Sequence, residues 1–290
     1  MKPSRFDYFA PATIDECTEL LGRYGDDAKV LAGGQSLVPL MNLRLAVPEV
    51  LIDVNRVDEL ESVRVDGDQL VIGATTRHHE VATSELIREG APMLSEAAGH
   101  IGYPAIRVRG TIGGSIAHAD PVAEMPCVAV ALDAELVAVS SRGRRSIPAT
   151  EFFHSHFTTA LEPDELLAEI RVARISESAR WAFEIFSRKE GDFSIAAVGA
   201  ELELGNGAVS SARIGVGGLG GAARRASTAE EALVGNPLDD ERIATAGDSV
   251  AELARTFTEA DEDPEYRPHL ARTLTERALR STGMNGGAHT

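Results

Sequence analysis

Gly110-Thr111-Ile112-Gly113-Gly114-Ser115-Ile116-Ala117-His118-Ala119-Asp120-Pro121-Val122-Ala123-Glu124-Met125-Pro126 is the stretch around which the rest of the chain is read. Gly113 and Gly114 follow a Thr-Ile pair and lead into small residues, so the backbone is free to turn sharply and present bare N–H groups to a ligand. Pro121 presets a helical φ at what reads as the first turn of a helix running to about Leu132. Glu124 lies one turn in, a carboxylate placed to accept hydrogen bonds from a ligand's hydroxyls. Free amides followed by a helix N-terminus make an anion site. A second loop of the same kind, Leu31-Ala32-Gly33-Gly34-Gln35-Ser36, lies about eighty residues earlier and is entered from the apolar run 28–31. One glycine loop suits one phosphate. Two suit a pyrophosphate held from both sides, which points to a dinucleotide without saying which.

The chain has 290 residues, enough for a full core and a division into two domains. Hydrophobic content of 43% and charged content of 25% are those of a globular protein. No apolar run approaches the length of a membrane span, and the first residues lack a signal-peptide core, so the chain reads as cytoplasmic. Its net charge of −17 is uneven: residues 230–265 hold twelve Asp or Glu against two Arg. A nucleic-acid partner is not expected, because phosphate binding needs a basic surface. Cys17 and Cys127 are the only cysteines, and both sit in apolar helical patterns, so they read as buried thiols. Two cysteines cannot hold an iron–sulfur cluster that needs four.

Residues 11–24 carry a helix signal, with Thr13 as N-cap, Glu16 three residues on, and Ile14, Cys17, Leu20, Leu21 and Tyr24 on one face. Strands at 28–32 and 50–54 complete a βαβ-like subdomain of residues 1–55 that carries the first loop. Residues 56–176 form a second subdomain. There, strands at 62–65 and 69–72 flank the turn signal Asp66-Gly67-Asp68, helices follow at 76–82 and 84–99, and further strands fall at 135–139, 146–147 and 165–172. A boundary near 174–180 opens a C-terminal α+β domain, 177–285. It holds strands at 181–186, 195–204 and 209–216 in a three-stranded antiparallel sheet, then helices at 228–234, 239–254 and 264–280. Residues 286–290 read as a flexible tail.

Gly215-Val216-Gly217-Gly218-Leu219-Gly220 spells the Rossmann fingerprint. The fingerprint needs a helix and then a second parallel strand, and the remaining residues read as helices only, so a glycine-rich strand end is the better reading. His78-His79 and His154-Ser155-His156 have no third ligand cluster beside them and read as surface or satisfied histidines.

At the two glycine loops the sequence resembles a family. Residues 32–45, Ala-Gly-Gly-Gln-Ser-Leu-Val-Pro-Leu-Met-Asn-Leu-Arg-Leu, are similar to a motif of the FAD-binding medium subunit of molybdenum hydroxylases, and so are residues 109–115, Arg-Gly-Thr-Ile-Gly-Gly-Ser. That group includes carbon monoxide dehydrogenase and the flavin domain of xanthine dehydrogenase. The likeness extends through residues 117–124 and 188–193 to the C-terminal domain. It implies an α+β fold: a two-subdomain FAD-binding region of PCMH type, then the small three-stranded domain. FAD would lie in the cleft between the subdomains. Ala32, Gly33, Gly34, Gln35 and Ser36 would meet its pyrophosphate, with Lys29 close by. Thr111, Gly114 and Ser115 would approach from the other side, and Ala117 and His118 would run past the flavin. Asp120 and Glu124 would accept from its hydroxyls, while Leu167, Lys189 and Phe193 would line the ring. Phe193 stands where some relatives carry a Tyr, and Val108 where many carry Asn.

The resemblance also implies partners: a large molybdenum-binding subunit and a small subunit with two 2Fe–2S clusters, assembled as a dimer of heterotrimers. Electrons would reach FAD here and leave to an external acceptor. No residue pattern in the chain suggests a nucleophile or a catalytic carboxylate pair, which suits a subunit whose flavin carries the chemistry. The rival enzyme reading is a self-contained FAD-dependent reductase with a nicotinamide donor; a binding module that kept the fold and lost its cofactor is a further reading, against which the intact glycines of both loops argue.

Overall fold

The computed structural model describes residues 2–258 and 263–284, so the predicted tail at 286–290 lies outside the described residues. The chain begins with a parallel sheet in the order β1-β3-β2, formed by β1 (Asp7–Phe9), β2 (Ala28–Leu31) and β3 (Val50–Asp53). Helix α1 (Ile14–Tyr24) connects β1 to β2, and α2 (Leu37–Leu43) lies between β2 and β3. The start of α1 follows from its capping residues. Thr13 Oγ1 accepts the Glu16 N–H at 3.2 Å, and the Glu16 carboxylate reaches back to the Ala12 N–H at 2.7 Å.

The next unit is an antiparallel sheet in the order β4-β5-β10-β6-β7. Its strands are β4 (Val63–Asp66), β5 (Gln69–Gly73), β6 (Glu135–Ser140), β7 (Gly143–Pro148) and β10 (Leu166–Ala173). Between β5 and β6 run α3 (His78–Thr83), α4 (Glu85–Gly90), α5 (Pro92–His100), α6 (Pro104–Arg107), α7 (Ile112–His118) and α8 (Glu124–Ala131). A short helix α9 (Ala149–Phe152) and the hairpin β8 (Phe153–Ser155) and β9 (Thr158–Thr159) precede β10. Strand β6, nearly throughout, and residues 166–168 of β10 are apolar because both their faces are covered, while Glu169 and Arg171 further along β10 pair with each other. Leu136, Ala138, Leu167 and Ile170 pack against the helices, while Val139, Leu166 and Ala168 join Ile14, Cys17 and Ile52 of the first unit.

The C-terminal unit is an antiparallel sheet in the order β11-β12-β13-β14. It comprises β11 (Ala179–Ser187), β12 (Ser194–Gly205), β13 (Ala208–Gly217) and the two-residue β14 (Arg224–Arg225), covered by α10 (Ser227–Leu233), α11 (Asp240–Thr258) and α12 (Tyr266–Met284). Helix α8 is the pin between the two larger sheets: every one of its residues is buried, and it packs on β12 and β13. Each Val or Met buried there contributes about 1.5–3 kcal/mol.

Three expectations need correction. The single helix read over 84–99 is two, α4 and α5, because Ala91 precedes Pro92 and is forced out of the helical region, with φ −149° and ψ 65°. The helix expected to begin at Pro121 begins at Glu124, and α7 is a separate helix before it; Ala119 breaks the two in a left-handed conformation, φ 51°. The C-terminal sheet has a fourth strand, β14, too short to leave a periodic signal.

Candidate functional site

The first glycine loop, residues 32–36, leaves the carboxyl end of β2, next to the end of β3, where the Val54 N–H bonds the Leu31 carbonyl at 3.1 Å. Ligands of open α/β sheets gather at this end of parallel strands. Gly34 adopts φ +71°, which a residue with a side chain rarely takes. Among the described residues, the amides of Gly33, Gly34, Gln35 and Ser36 donate to no protein acceptor. Four consecutive free donors form a cradle for an anion, so the loop fits the diphosphate of FAD.

The second loop differs from its sequence reading. Thr111 caps α7 and residues 112–115 begin it, and the amides of those four residues are already used. Gly113 N–H bonds the Ala74 carbonyl at 2.9 Å, Gly114 N–H bonds Thr111 Oγ1 at 3.1 Å, and Ser115 N–H bonds the Thr111 carbonyl at 3.0 Å. The glycines serve close packing instead. A Cβ on Gly113 would stand 2.4 Å from that of Ala74, and one on Gly114 2.7 Å from Thr111 Oγ1. What this loop can offer a ligand is therefore side-chain chemistry: the Thr111 oxygen accepts from Gly114, so its own hydroxyl proton is left to donate.

The two loops touch. A Cβ on Gly33 would lie 2.4 Å from the Arg109 carbonyl oxygen and 2.6 Å from Gly110 Cα, and one on Gly114 would lie 3.8 Å from Ala32 Cβ. Residues from both subdomains thus form one site across sequence positions about eighty apart.

Downstream of loop two, Ala117 is half-buried, and the His118 ring packs on Phe157 at 5.0 Å between centroids. Burial lowers the His118 pKa against the opposing charge of Asp120, so the ring is neutral near pH 7. Asp120 Oδ1 accepts the Val122 N–H at 3.1 Å. Glu124 is 6% exposed. Burial pushes its carboxyl up to about 7, against its own backbone N–H and the charge of His100.

Of the remaining candidates, Lys189 and Phe193 stand exposed in the connection between β11 and β12, Phe193 at 66%. Gly191 brings that connection against the Gly102–Tyr103 backbone: its Cβ would meet the Gly102 oxygen at 3.2 Å. Lys29 lies exposed on β2. Leu167 is 4% exposed and lies in the core cluster of the second unit.

Sequence reasoning missed Asn55 and Arg77. Asn55 Nδ2 donates to the Ala32 carbonyl at 2.8 Å, and Arg77 donates to Asn55 Oδ1 at 2.7 Å and to the Arg109 carbonyl at 2.5 Å. An Asn after a strand and an Arg before a helix carry no motif, so no local signal marks them.

The glycine motif at the end of β13 is not a nucleotide site. Gly215 and Gly217 let the strand lie against α8, where a Cβ on Gly215 would come within 2.4 Å of the Cys127 carbonyl oxygen, and the chain continues into β14 rather than a helix.

A βαβ-like unit facing an antiparallel-sheet subdomain through paired glycine loops defines a dinucleotide-binding protein. Residues 4–174 match the FAD binding domain in molybdopterin dehydrogenase, and residues 181–282 match the CO dehydrogenase flavoprotein C-terminal domain. The chain belongs to this family of FAD-binding dehydrogenase subunits, which are oxidoreductases. It is 42% identical to the 6-hydroxypseudooxynicotine dehydrogenase complex subunit alpha of Paenarthrobacter nicotinovorans, covering 96% of this chain and 95% of the relative. It is 38% identical to the carbon monoxide dehydrogenase medium chain of Hydrogenophaga pseudoflava, covering 96% and 97%. A solved structure of carbon monoxide dehydrogenase from Hydrogenophaga pseudoflava superimposes with a TM-score of 0.94 at 39% identity, over 98% of this chain and 99% of that one. Quinoline 2-oxidoreductase from Pseudomonas putida 86 gives 0.88 at 35% identity, over 97% and 98%. No helix among the described residues is long and apolar enough to cross a membrane.

Proposed function

We propose that the chain is the flavin subunit of a cytoplasmic molybdenum hydroxylase, in which FAD takes electrons from the 2Fe–2S clusters of a small partner subunit and passes them to an external acceptor. The molybdenum cofactor belongs to a large partner subunit, and the assembly is a dimer of heterotrimers. The observation that carries this reading is the contact of the two loops across the subdomains, with four free amides on one side. The amides of Gly33, Gly34, Gln35 and Ser36 would hold the pyrophosphate charge. Thr111 would donate its hydroxyl to a phosphate oxygen, and Ser115, one residue beyond Gly114, would bond the ribityl side. Asp120 keeps one carboxylate oxygen for a cofactor hydroxyl. Glu124, near its titration midpoint at neutral pH, can donate or accept. Ala117, His118, Leu167, Lys189 and Phe193 would border the ring, and Lys29 would add positive charge near the phosphates.

The partner subunits have a surface to meet. Val38, Leu43, Leu45 and Val47 stand 41%, 58%, 73% and 58% exposed on α2 and the turn after it, directly beside loop one. Apolar side chains exposed together in this way suit cover by a protein partner, here one of the two partner subunits.

The test is a visible absorption spectrum of the chain purified with its partner subunits, followed by acid release of the chromophore. Released FAD supports the reading. Released FMN, which lacks the pyrophosphate, or a colourless complex that takes up no added FAD, overturns it.

A further inference from the structure

We propose that Arg77 and Asn55 form a clamp that sets the gap between the two loops, and so are positioning residues for the flavin nucleotide; the inference rests on the function proposed above. The backbone beside Arg77 is zipped to loop two. Arg77 bridges to Thr111, the His78 N–H bonds the Gly110 carbonyl at 3.0 Å, and the Ile112 N–H bonds the Thr76 carbonyl at 3.0 Å. From that anchored position the guanidinium forks. One arm returns to the Arg109 carbonyl at 2.5 Å, and the other crosses to Asn55 Oδ1 at 2.7 Å.

Asn55 completes the span. Its side-chain amide presents the oxygen to Arg77 and the nitrogen to the Ala32 carbonyl at 2.8 Å. One guanidinium and one carboxamide therefore connect Ala32 of loop one to Arg109, which leads into loop two. Asn55 is itself fixed by Asp53, whose Oδ1 accepts from both the backbone N–H, at 2.9 Å, and the side-chain nitrogen, at 2.6 Å. Tyr8 donates to the other Asp53 oxygen at 2.6 Å. Partial burial works to raise the Asp53 pKa, but the bonds from Tyr8 and Asn55 and the charge of Arg56 together hold it below the usual range, so it remains an acceptor at neutral pH. The Arg109 oxygen that Arg77 grips is the atom against which Gly33 packs. The clamp thus pulls the loops together at the point where a missing Cβ lets them meet. Arg is suited to this because its planar fork serves two acceptors at once, which an ammonium on a flexible stem does not.

The test uses the full chain assembled with its partner subunits, stripped of flavin and titrated with FAD. Arg77→Met and Asn55→Ala should each weaken FAD binding about tenfold, the scale of one hydrogen bond to a charged group. The double variant should also be about tenfold weaker, since both changes cut one bridge. Arg77→Lys should behave like Arg77→Met, because the fork rather than the charge does the positioning. The absorption envelope of the bound flavin should stay the same, and the melting temperature of the flavin-free assembly should change little. Tyr8→Phe, which loosens only the outer end, should weaken binding roughly two- to threefold. The clamp is refuted if the variants bind FAD like wild type, if the single effects multiply to about a hundredfold, or if lysine restores affinity. A wild-type assembly that takes up no FAD removes the parent function and the clamp with it.

Discussion

Replacing Gly33 by alanine tests the meeting of the loops most directly. Gly33 does not need a left-handed conformation, so the substitution adds one methyl group and no backbone strain of that kind. That methyl would lie 2.4 Å from the Arg109 carbonyl oxygen, 2.6 Å from Gly110 Cα and 3.0 Å from the Arg109 carbonyl carbon. All three are backbone atoms, so no side chain can rotate away. Reaching ordinary contact requires the loops to part by roughly 1 Å, which stretches the Arg77 bond to the same oxygen and widens the space meant for a diphosphate. Overpacking of this sort costs about 1–3 kcal/mol. If the strain is relieved by separating the loops, it appears as a loss of FAD affinity of roughly 5- to 150-fold, at about 1.4 kcal/mol per decade. The assay is the FAD content of the purified assembly and a fluorescence titration of the flavin-free form, with Gly22→Ala as control. Gly22 lies exposed in α1, and a Cβ there meets nothing within 4 Å, so alanine should raise helix stability by roughly 0.5–1 kcal/mol and leave flavin binding alone. A Gly33→Ala protein that holds FAD as tightly as wild type would show that the loop gap does not govern the site.

Gly113→Ala should destabilise the fold itself, by about 1–3 kcal/mol in chemical denaturation, because its methyl would meet the Ala74 side chain and carbonyl and must push α7 away from the segment that follows β5. Glu124 has a folded-state pKa raised above its unfolded value, so burial favours the protonated form; stability is full below about 4.5 and falls as the pH rises to about 7, by on the order of 3 kcal/mol. Glu124→Gln should flatten the flavin-free melting temperature across that range. His78 acts in the opposite sense: burial and the charge of Arg107 lower it to about 4, so stability is lost as the pH falls from about 6.5 toward 4, and His78→Gln should remove that acid limb. Leu45→Glu, at a side chain 73% exposed, should leave the melting temperature of the isolated chain unchanged while weakening its co-purification with the partner subunits.

Glycine spelling made the loops visible in the sequence but did not say what each glycine does. Gly34 takes a positive φ and Gly33 faces backbone, while Gly113 and Gly215 serve helix packing, although all four sit in motifs of similar appearance. The free amides expected at Gly113 and Gly114 are bonded to Ala74 and Thr111, since a loop and a helix start look alike until the segment beneath is known. The strands with covered faces, such as β6 and β10, were legible from their apolar runs. Strand β1 was not, because its three residues are exposed or half-buried and carry no alternation. Asn55 and Arg77 were the least legible of all: they are 22 residues apart, and each looks like an ordinary surface polar group.

The division of labour between the two loops follows from which subdomain carries which kind of rigidity. Loop one is held at its ends by β2 and α2, and its amides are free, so it adapts to an anion but does not fix its own distance from anything opposite. Loop two has spent its amides on Ala74 and Thr111 and is therefore stiff, a surface against which loop one can be set. An adaptable donor loop facing a stiff wall binds well only if something fixes their separation. The contact of Gly33 with the Arg109 carbonyl sets the minimum, and the bridge through Asn55 and Arg77 resists opening. Because the hydrophobic seam of Ile14, Cys17, Ile52, Val139 and Leu166 joins the same two subdomains without using either residue of the bridge, loss of the bridge should open the cleft without unfolding the chain. For that reason flavin affinity, rather than melting temperature, is the quantity in which the clamp is visible.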